Sequence, residues 1–246
     1  MSGSIHIGTS GWSYKHWKGL FYPPEIKEKD WLSFYARTFS IAEINTSFYH
    51  LPKQQTVLNW MEKAPDNFLF CPKLSRYITH MKKLKDVEEP LQRFLDVFAP
   101  MQQQLGPVLV QLPPQLKWDY DRAENFYSRL QKEKETFSAV IEVRHQSWLQ
   151  SDSLTQMAKY DLGVVISQSG GHFPYTEMVT AKNVYLRFHG PRELYASGYS
   201  NEELEYYAQK IGTWSQEGHS VWAFFNNDIH GYAFADAQRL QRLCGQ

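Results

Sequence analysis

The sequence predicts an α/β protein, a single TIM-type (β/α)8 barrel over residues 1–246 with one degenerate βα unit. Short apolar, β-branched or aromatic segments recur along the chain, and polar segments with helical spacing follow them, a pattern typical of βα units around a parallel sheet. There are eight such segments, the number of strands that closes this barrel, and 246 residues suffice for one barrel domain. A doubly wound open sheet is the alternative.

The predicted strands, in chain order, cover residues 5–10, 41–45, 68–73, 108–112, 139–145, 163–168, 184–190 and 221–228. The predicted helices cover residues 30–39, 54–63, 88–104, 122–134, 153–160, 201–216 and 232–243. The connection after the sixth strand, "SGGHFPYTEMVTAK", is short and rich in Gly and Pro. It therefore predicts a βα unit without a regular helix.

Composition limits the classes of partner. Lys plus Arg and Asp plus Glu both number 26, so no global field favours a nucleic-acid backbone or an anionic membrane, and any anion site must be local. Cys71 and Cys244 are far apart, which fits a reducing compartment. The start "MSGSIHIGTSGW" lacks a signal-peptide pattern and no apolar run could span a bilayer. We expect a soluble, cytoplasmic protein without a membrane partner.

Polar residues gather at the carboxyl ends of the predicted strands, which form the active-site face of such a barrel. Four strands end with polar residues at positions i and i+2, which share one face because strand side chains alternate. We expect ten residues to line one pocket, and more than three outside it would contradict that expectation. The ten are Glu43, Asn45, Lys73, Gln111, Glu142, Arg144, Arg187, His189, Asn226 and Asp228.

Residue chemistry assigns roles within this set. Lys73, Arg144 and Arg187 would bind a phosphate or carboxylate, the arginines by two-pronged contacts. Glu142, flanked by Arg144, should stay ionised and act as base or nucleophile, while Glu43 or His189 supplies the proton. These roles predict hydrolase- or isomerase-like chemistry.

The remaining site residues have less specific roles. Asp228 is a further catalytic candidate, and Asn45, Gln111 and Asn226 are candidate ligand-binding residues. Trp12 belongs to an aromatic first loop, "GTSGWSYKHWKGLFYPP", which suits a flat ligand such as a sugar or a base. An apolar plug over the barrel mouth explains the same loop equally well.

Three alternatives stay open. Glu142, Arg144, Arg187 and Asp228 could form a structural ion-pair layer. We predict no metal and no cofactor, but one divalent metal among Glu43, Glu142, His189 and Asp228 is the alternative, although no HxH or HExxH spacing supports it. The third alternative is a non-enzymatic nucleotide or nucleic-acid binder, which the neutral net charge disfavours.

The expected ligand is small and anionic or sugar-like. Barrels of this type commonly bind phosphate after strands seven and eight, here near Gly190 and the start of the last helix. We expect a sulfate or phosphate ion to bind there.

Seven segments, in order, resemble the YecE-like family, domain of unknown function 72 (DUF72). They are "GTSGWSYKHWKGLFYP", "AEINTSFYHLP", "FLFCPKLSRYITH", "LGPVLVQLPPQ", "EVRHQSW", "VYLRFHG" and "FFNNDIHGYA", between residues 8 and 233. The resemblance implies a TIM-barrel fold. It implies no catalytic residues, because the family has no established reaction.

Overall fold

The computed structural model of the chain describes residues 2–246. The strands are β1 Ile5–Thr9, β2 Ile41–Ile44, β3 Leu69–Pro72, β4 Val108–Gln111, β5 Ala139–Glu142, β6 Gly163–Val164, β7 Ile166–Gln168, β8 Asn183–Phe188 and β9 Ser220–Phe225. The α-helices are α1 Trp31–Tyr35, α2 Thr46–Tyr49, α3 Gln54–Lys63, α4 Glu88–Phe98, α5 Tyr120–Gln131, α6 Ser151–Lys159, α7 Asn201–Gln216 and α8 Tyr232–Leu243. Strands and helices alternate along most of the chain, so the protein is of the α/β class.

The strands form two parallel sheets. One has six strands in the order β3-β2-β1-β9-β8-β7, and the other has three in the order β4-β5-β6. An isolated parallel bridge between Lys73 and Leu109 joins the end of β3 to β4. The predicted sixth strand is divided at Val165, so that β6 pairs with β5 and β7 pairs with β8. The two sheets therefore lie next to each other at two places, between β3 and β4 and between β6 and β7.

Three predicted helices, α3, α7 and α8, have the predicted bounds. Helix α7 begins with a capping box, in which Ser200 Oγ accepts a hydrogen bond from the Glu203 backbone N–H while the Glu203 carboxylate accepts one from the Ser200 N–H. This reciprocal arrangement satisfies two amide donors at the helix start.

The predicted helix over 88–104 is wrong in its second half. The α-helix ends at Phe98 and a 3-10 segment follows over residues 99–104. Pro100 accounts for the change, because it has no N–H to donate and its ring clashes with the preceding turn of an α-helix. The first predicted helix, over 30–39, is also too long, since α1 covers only five residues.

The connection between β7 and β8 contains no helix over residues 169–182, all of which the structure describes. Gly170 and Gly171 both have positive φ angles, which side-chain-bearing residues rarely adopt. The prediction of one βα unit without its helix is therefore confirmed.

One buried apolar cluster contains residues from both sheets. Its members are Ile41, Cys71, Leu109, Val140, Val165, Tyr185, Trp222 and Phe224. Two residues further along each strand stands a polar side chain: Glu43, Lys73, Gln111, Glu142, Ser167, Arg187 and Asn226. Because alternate strand residues share a face, this polar layer lies next to the apolar cluster on the carboxyl side of the strands. The larger hydrophobic core packs helices α1 and α3–α8 against the strands.

Among residues 2–246, no helix is both long and apolar enough to cross a bilayer.

Candidate functional site

The polar layer is organised around Arg187. This side chain is 1% exposed and comes from β8. Its Nε donates to Glu43 Oε2 (3.0 Å), its Nη2 to Glu43 Oε1 (2.6 Å) and its Nη1 to Glu142 Oε2 (2.8 Å). One guanidinium therefore holds two fully buried carboxylates, the first of them by a two-pronged contact.

Glu142 is engaged at both oxygens. Besides the Arg187 bond at Oε2, Oε1 accepts from Arg144 Nη2 (2.9 Å) and from Ser167 Oγ (3.1 Å). Burial opposes the charged form, but the adjacent guanidinium groups of Arg144 and Arg187 hold the pKa of this carboxyl well below its usual range. Glu142 is thus an ionised, fully buried acceptor, and both of its oxygens are bonded to groups of the polar layer.

Glu43 has a similar environment. Its Oε2 also accepts from the Tyr185 hydroxyl at 2.8 Å. Burial again opposes ionisation, and Arg187 outweighs it, so that the pKa of Glu43 is lowered. A carboxylate with a lowered pKa is a poor proton donor at neutral pH, which contradicts the predicted acid role.

Arg144 lies against Glu142 and an aromatic ring. Its guanidinium carbon is 3.4 Å from the centre of the Phe173 ring, which belongs to the connection between β7 and β8. The side chain is 5% exposed. Its charge is therefore neutralised by Glu142 and covered by Phe173, which leaves it unable to act as the predicted anion clamp.

His189 connects the layer to the loop after β9. Its Nε2 is 3.0 Å from Glu142 Oε1, and its Nδ1 is 3.1 Å from Asn226 Nδ2. Because Asn226 donates to Nδ1, the neutral ring donates from Nε2 to Glu142. Burial and then the charge of Arg187 lower the pKa of His189 to about 4. His189 is therefore neutral at pH 7 and fully buried, and its one N–H is bonded to Glu142, so it is a poor proton donor at that pH.

A cavity of about 750 Å³ lies above this layer, at the carboxyl ends of the strands. Six of the ten predicted pocket residues line it: Asn45, Lys73, Gln111, Arg187, Asn226 and Asp228. The other four, Glu43, Glu142, Arg144 and His189, do not. The expectation of one pocket lined by all ten is therefore wrong. The alternation of strand side chains gives the face of each residue, but it does not distinguish a ligand-facing group from one neutralised beneath the surface.

Lys73 is the least neutralised cation of this layer. Its Nζ donates to Gln111 Oε1 (2.7 Å) and lies 4.3 Å from the centre of the Phe48 ring. Among residues 2–246 it has no carboxylate within 4 Å, unlike Arg144 and Arg187. Its residue exposure is only 8%. Burial, followed by the charge of Arg187, lowers the pKa of Lys73 to about 7.

Unlike Glu43 and Glu142, Asp228 has no salt bridge to an arginine or a lysine among residues 2–246. Trp17 Nε1 donates to its Oδ1 at 2.7 Å, and His16 Nε2 lies 2.8 Å from its Oδ2. Burial raises the pKa of Asp228, an effect that the Trp17 and His16 contacts reduce. Asp228 and His16 both line the cavity. Together they form a carboxyl–imidazole pair in the cavity wall.

Trp12 does not line this cavity. It lines a smaller neighbouring cavity of about 370 Å³, where its ring packs edge-on against Trp60 at 5.7 Å between centres. Other rings of the first loop, such as Trp17 and Tyr22, are buried in the core, and Tyr22 stacks on Trp31 at 4.8 Å. Most aromatic rings of the first loop are thus packed against other side chains. This agrees better with the alternative of an apolar plug than with a surface for a flat ligand.

Gly190 is also unavailable for the anion. Its backbone N–H donates to the Tyr199 hydroxyl at 3.0 Å, and it does not line the cavity.

The structure offers no set of ligands for the alternative of a bound metal. Residues 2–246 contain no group of three or more His, Cys, Asp or Glu side chains placed to hold an ion. Both oxygens of Glu43 and of Glu142 are directed at cations instead.

Sequence reasoning missed cavity residues that lie in loops and short helices. Arg76 follows β3 and is exposed, and residues 2–246 include no carboxylate within 4 Å of it. His16, Tyr49 and Tyr195 are further examples. Loop residues have no periodicity, so only the local concentration of basic and aromatic residues, such as "KLSRYITHMKK", could have indicated them.

The comparisons with known proteins agree with the fold. A family model described as "Protein of unknown function DUF72" matches residues 6–246. The chain is 27% identical to UPF0759 protein YecE of Escherichia coli K12, covering 86% of this chain and 82% of that protein. It is 26% identical to UPF0759 protein YunF of Bacillus subtilis, covering 97% and 94%.

Solved structures are similar over the whole chain. A DUF72 family protein from Thermotoga maritima has a TM-score of 0.87 at 27% identity and covers 99% of this chain and 100% of its own. A DUF72 family protein from Enterococcus faecalis has a TM-score of 0.84 at 23% identity, covering 98% and 96%, and supports the fold alone. The chain therefore belongs to the DUF72 family.

Proposed function

We propose that the protein is an enzyme that binds a small phosphorylated or sugar-like molecule in the 750 Å³ cavity and performs acid–base chemistry on it. The observation that supports this best is the composition of the cavity wall, where Lys73 and Arg76 lie without carboxylate partners among residues 2–246 and the Asp228–His16 pair is also present. A cavity of this size suits one small ligand.

The proposal includes a closed (β/α)8 barrel as a single domain. Supporting it are the Lys73–Leu109 bridge at one border of the two sheets and the single strand segment that supplies β6 and β7 at the other. The apolar cluster that draws on both sheets supports it too. Counting β6 and β7 as one divided strand gives eight strands.

The anionic part of the ligand would bind to Arg76, with Lys73 in the same cavity wall. Arg187 and Arg144 are neutralised by Glu43 and Glu142, so they add little attraction for an anion. A planar guanidinium such as that of Arg76 suits a phosphate or a carboxylate. The part of the ligand away from its charge would contact Tyr49, which is 61% exposed, and Tyr195.

Acid–base work would fall to the Asp228–His16 pair, with hydrolysis or isomerisation as the reaction classes. The polar layer beneath the cavity would position the Asp228–His16 pair. Asn226, two residues before Asp228, is hydrogen-bonded to His189, and His189 is hydrogen-bonded to Glu142. In this proposal Glu142, Glu43 and His189 are positioning residues and not groups that touch the substrate.

Binding of inorganic phosphate tests the proposal. We expect isothermal titration calorimetry to detect phosphate binding that Arg76→Ala weakens by at least about tenfold, because a charge-assisted hydrogen bond contributes about 1.5–3 kcal/mol. The matched control is Arg242→Ala, an exposed arginine in the last turn of α8 that does not line the cavity. It should leave affinity unchanged. Absence of binding by phosphate and by glycerol phosphate, or equal losses in both variants, would contradict the anionic ligand.

A further inference from the structure

We propose that Lys73 is a nucleophilic amine that forms a Schiff base with an aldehyde or ketone substrate bearing an anionic group. This inference rests on the proposed function, since it takes the same cavity as the binding site, and it names the substrate class.

The contacts of Lys73 place the amine at the boundary between core and cavity. Lys73 lines the cavity, although the residue as a whole is buried. Gln111 Oε1 accepts one N–H at 2.7 Å, and Nζ lies 4.3 Å from the centre of the Phe48 ring. In the neutral amine, the bond to Gln111 uses an N–H and not the lone pair.

The difference from the neighbouring arginines is chemical. Arg144 and Arg187 each bond to a buried carboxylate, whereas Lys73 has only an amide oxygen and an aromatic face. A ring face favours the ammonium form less than a carboxylate does. A buried amine in such surroundings can shed its charge, which a guanidinium cannot do.

The surrounding charges act in both directions. Burial, Arg187 and Arg144 lower the pKa of Lys73, Glu142 and Glu43 partly counter them, and the resulting pKa is about 7. The charged and titratable groups that act on or near this amine are Glu43 from β2, Glu142 from β5, Arg144 after β5, Arg187 from β8 and His80 after β3. At neutral pH a large part of the amine is therefore unprotonated and able to attack.

The proposed step balances as follows. The Nζ lone pair attacks the carbonyl carbon as the C=O π bond breaks, one proton moves from the nitrogen to the carbonyl oxygen, and a neutral carbinolamine forms with a new C–N bond. A second proton, from the Asp228–His16 pair, lets the hydroxyl leave as water when the C–O bond breaks. One amine, one carbonyl and one proton give a protonated imine and one water, with no oxidant or reductant. The imine then withdraws electrons from the adjacent carbon, where proton transfer or carbon–carbon bond cleavage follows.

Reductive trapping tests the proposal. The protein is incubated at pH 7.5 with glycolaldehyde phosphate or pyruvate and sodium cyanoborohydride, and the adducts are located by peptide mass spectrometry. We expect adduct formation on Lys73 to be at least about tenfold faster than on exposed Lys27, because an ordinary lysine is about 0.1% unprotonated near this pH. Lys73→Met removes the amine without adding a buried charge and should abolish this adduct while labelling of Lys27 is unchanged.

Four outcomes overturn the inference. Equal labelling of Lys73 and Lys27 would show that the amine is not activated. Competitive acetylation followed across pH should give a midpoint near 7 for Lys73, and a midpoint near 10.5 would also reject the nucleophile. If phosphate binds but no adduct forms, the Schiff base fails and the proposed ligand class survives. If neither phosphate nor carbonyl compound binds, both proposals fail.

Discussion

Replacing Glu142 with glutamine should lower the free energy of unfolding by about 3–5 kcal/mol, the range for breaking a buried ion pair by removing one partner. The substitution leaves Arg144 without a carboxylate and leaves Arg187 with Glu43 alone. The amide NH₂ of glutamine would also face guanidinium donors in place of an acceptor oxygen. Urea unfolding at pH 7 measures the change.

Glu89→Gln is the matched control, because Glu89 also pairs with an arginine, Arg93, but on the surface of α4. Its side chain is 72% exposed, and exposed pairs of this kind contribute less than about 0.5 kcal/mol. A large loss confined to Glu142→Gln, with phosphate binding unchanged, would establish a structural role. Unchanged or raised stability would instead indicate a carboxylate held in an unfavourable state for a ligand, and would restore Glu142 as a catalytic candidate.

The sequence predicted which residues form the polar layer but not their depth. Glu142 and Lys73 follow the same rule, since each stands two residues after a member of the apolar cluster. Pairing decides between them: two guanidinium groups enclose Glu142, whereas Lys73 has only Gln111 and Phe48 and stays at the cavity. Those contacts join β5 to β8 and β3 to β4. Such long-range pairs are not encoded in the local alternation of one strand.

Elements were predictable where a local signal decided them. The Ser200–Glu203 capping box and the Gly and Pro content of residues 169–182 are such signals. The division of the sixth strand at Val165 had no local signal, because β6 and β7 follow different partner strands. The cavity residues Arg76, His16 and Tyr195 lie outside the strands. The pattern of polar residues at strand ends therefore predicted the polar layer beneath the cavity, but it did not predict the cavity residues that lie in loops.

Replacing Lys73 should change the free energy of unfolding in the opposite direction from replacing Glu142. We expect Lys73→Met to raise the free energy of unfolding by about 2–3 kcal/mol at pH 7. A pKa lowered from 10.5 to about 7 corresponds to roughly 5 kcal/mol against the buried ammonium. The lost Gln111 bond and Phe48 contact offset about half of that. Methionine has a similar length and packs well against an aromatic ring.

The pH dependence identifies the cause. Between pH 7 and 10.5 the unfolded wild-type chain binds a proton at Lys73 that the folded chain has lost. The free energy of unfolding of the wild type therefore rises with pH relative to that of the variant. The advantage of Lys73→Met should therefore be largest at or below pH 7 and should fall by about 2 kcal/mol by pH 9. Urea unfolding at both pH values measures it, with Lys27→Met as the exposed control expected to stay within about 0.5 kcal/mol at each pH. A loss of stability in Lys73→Met, or an advantage that does not change with pH, would mean that the ammonium stabilises the fold and that Lys73 is not held uncharged for a substrate.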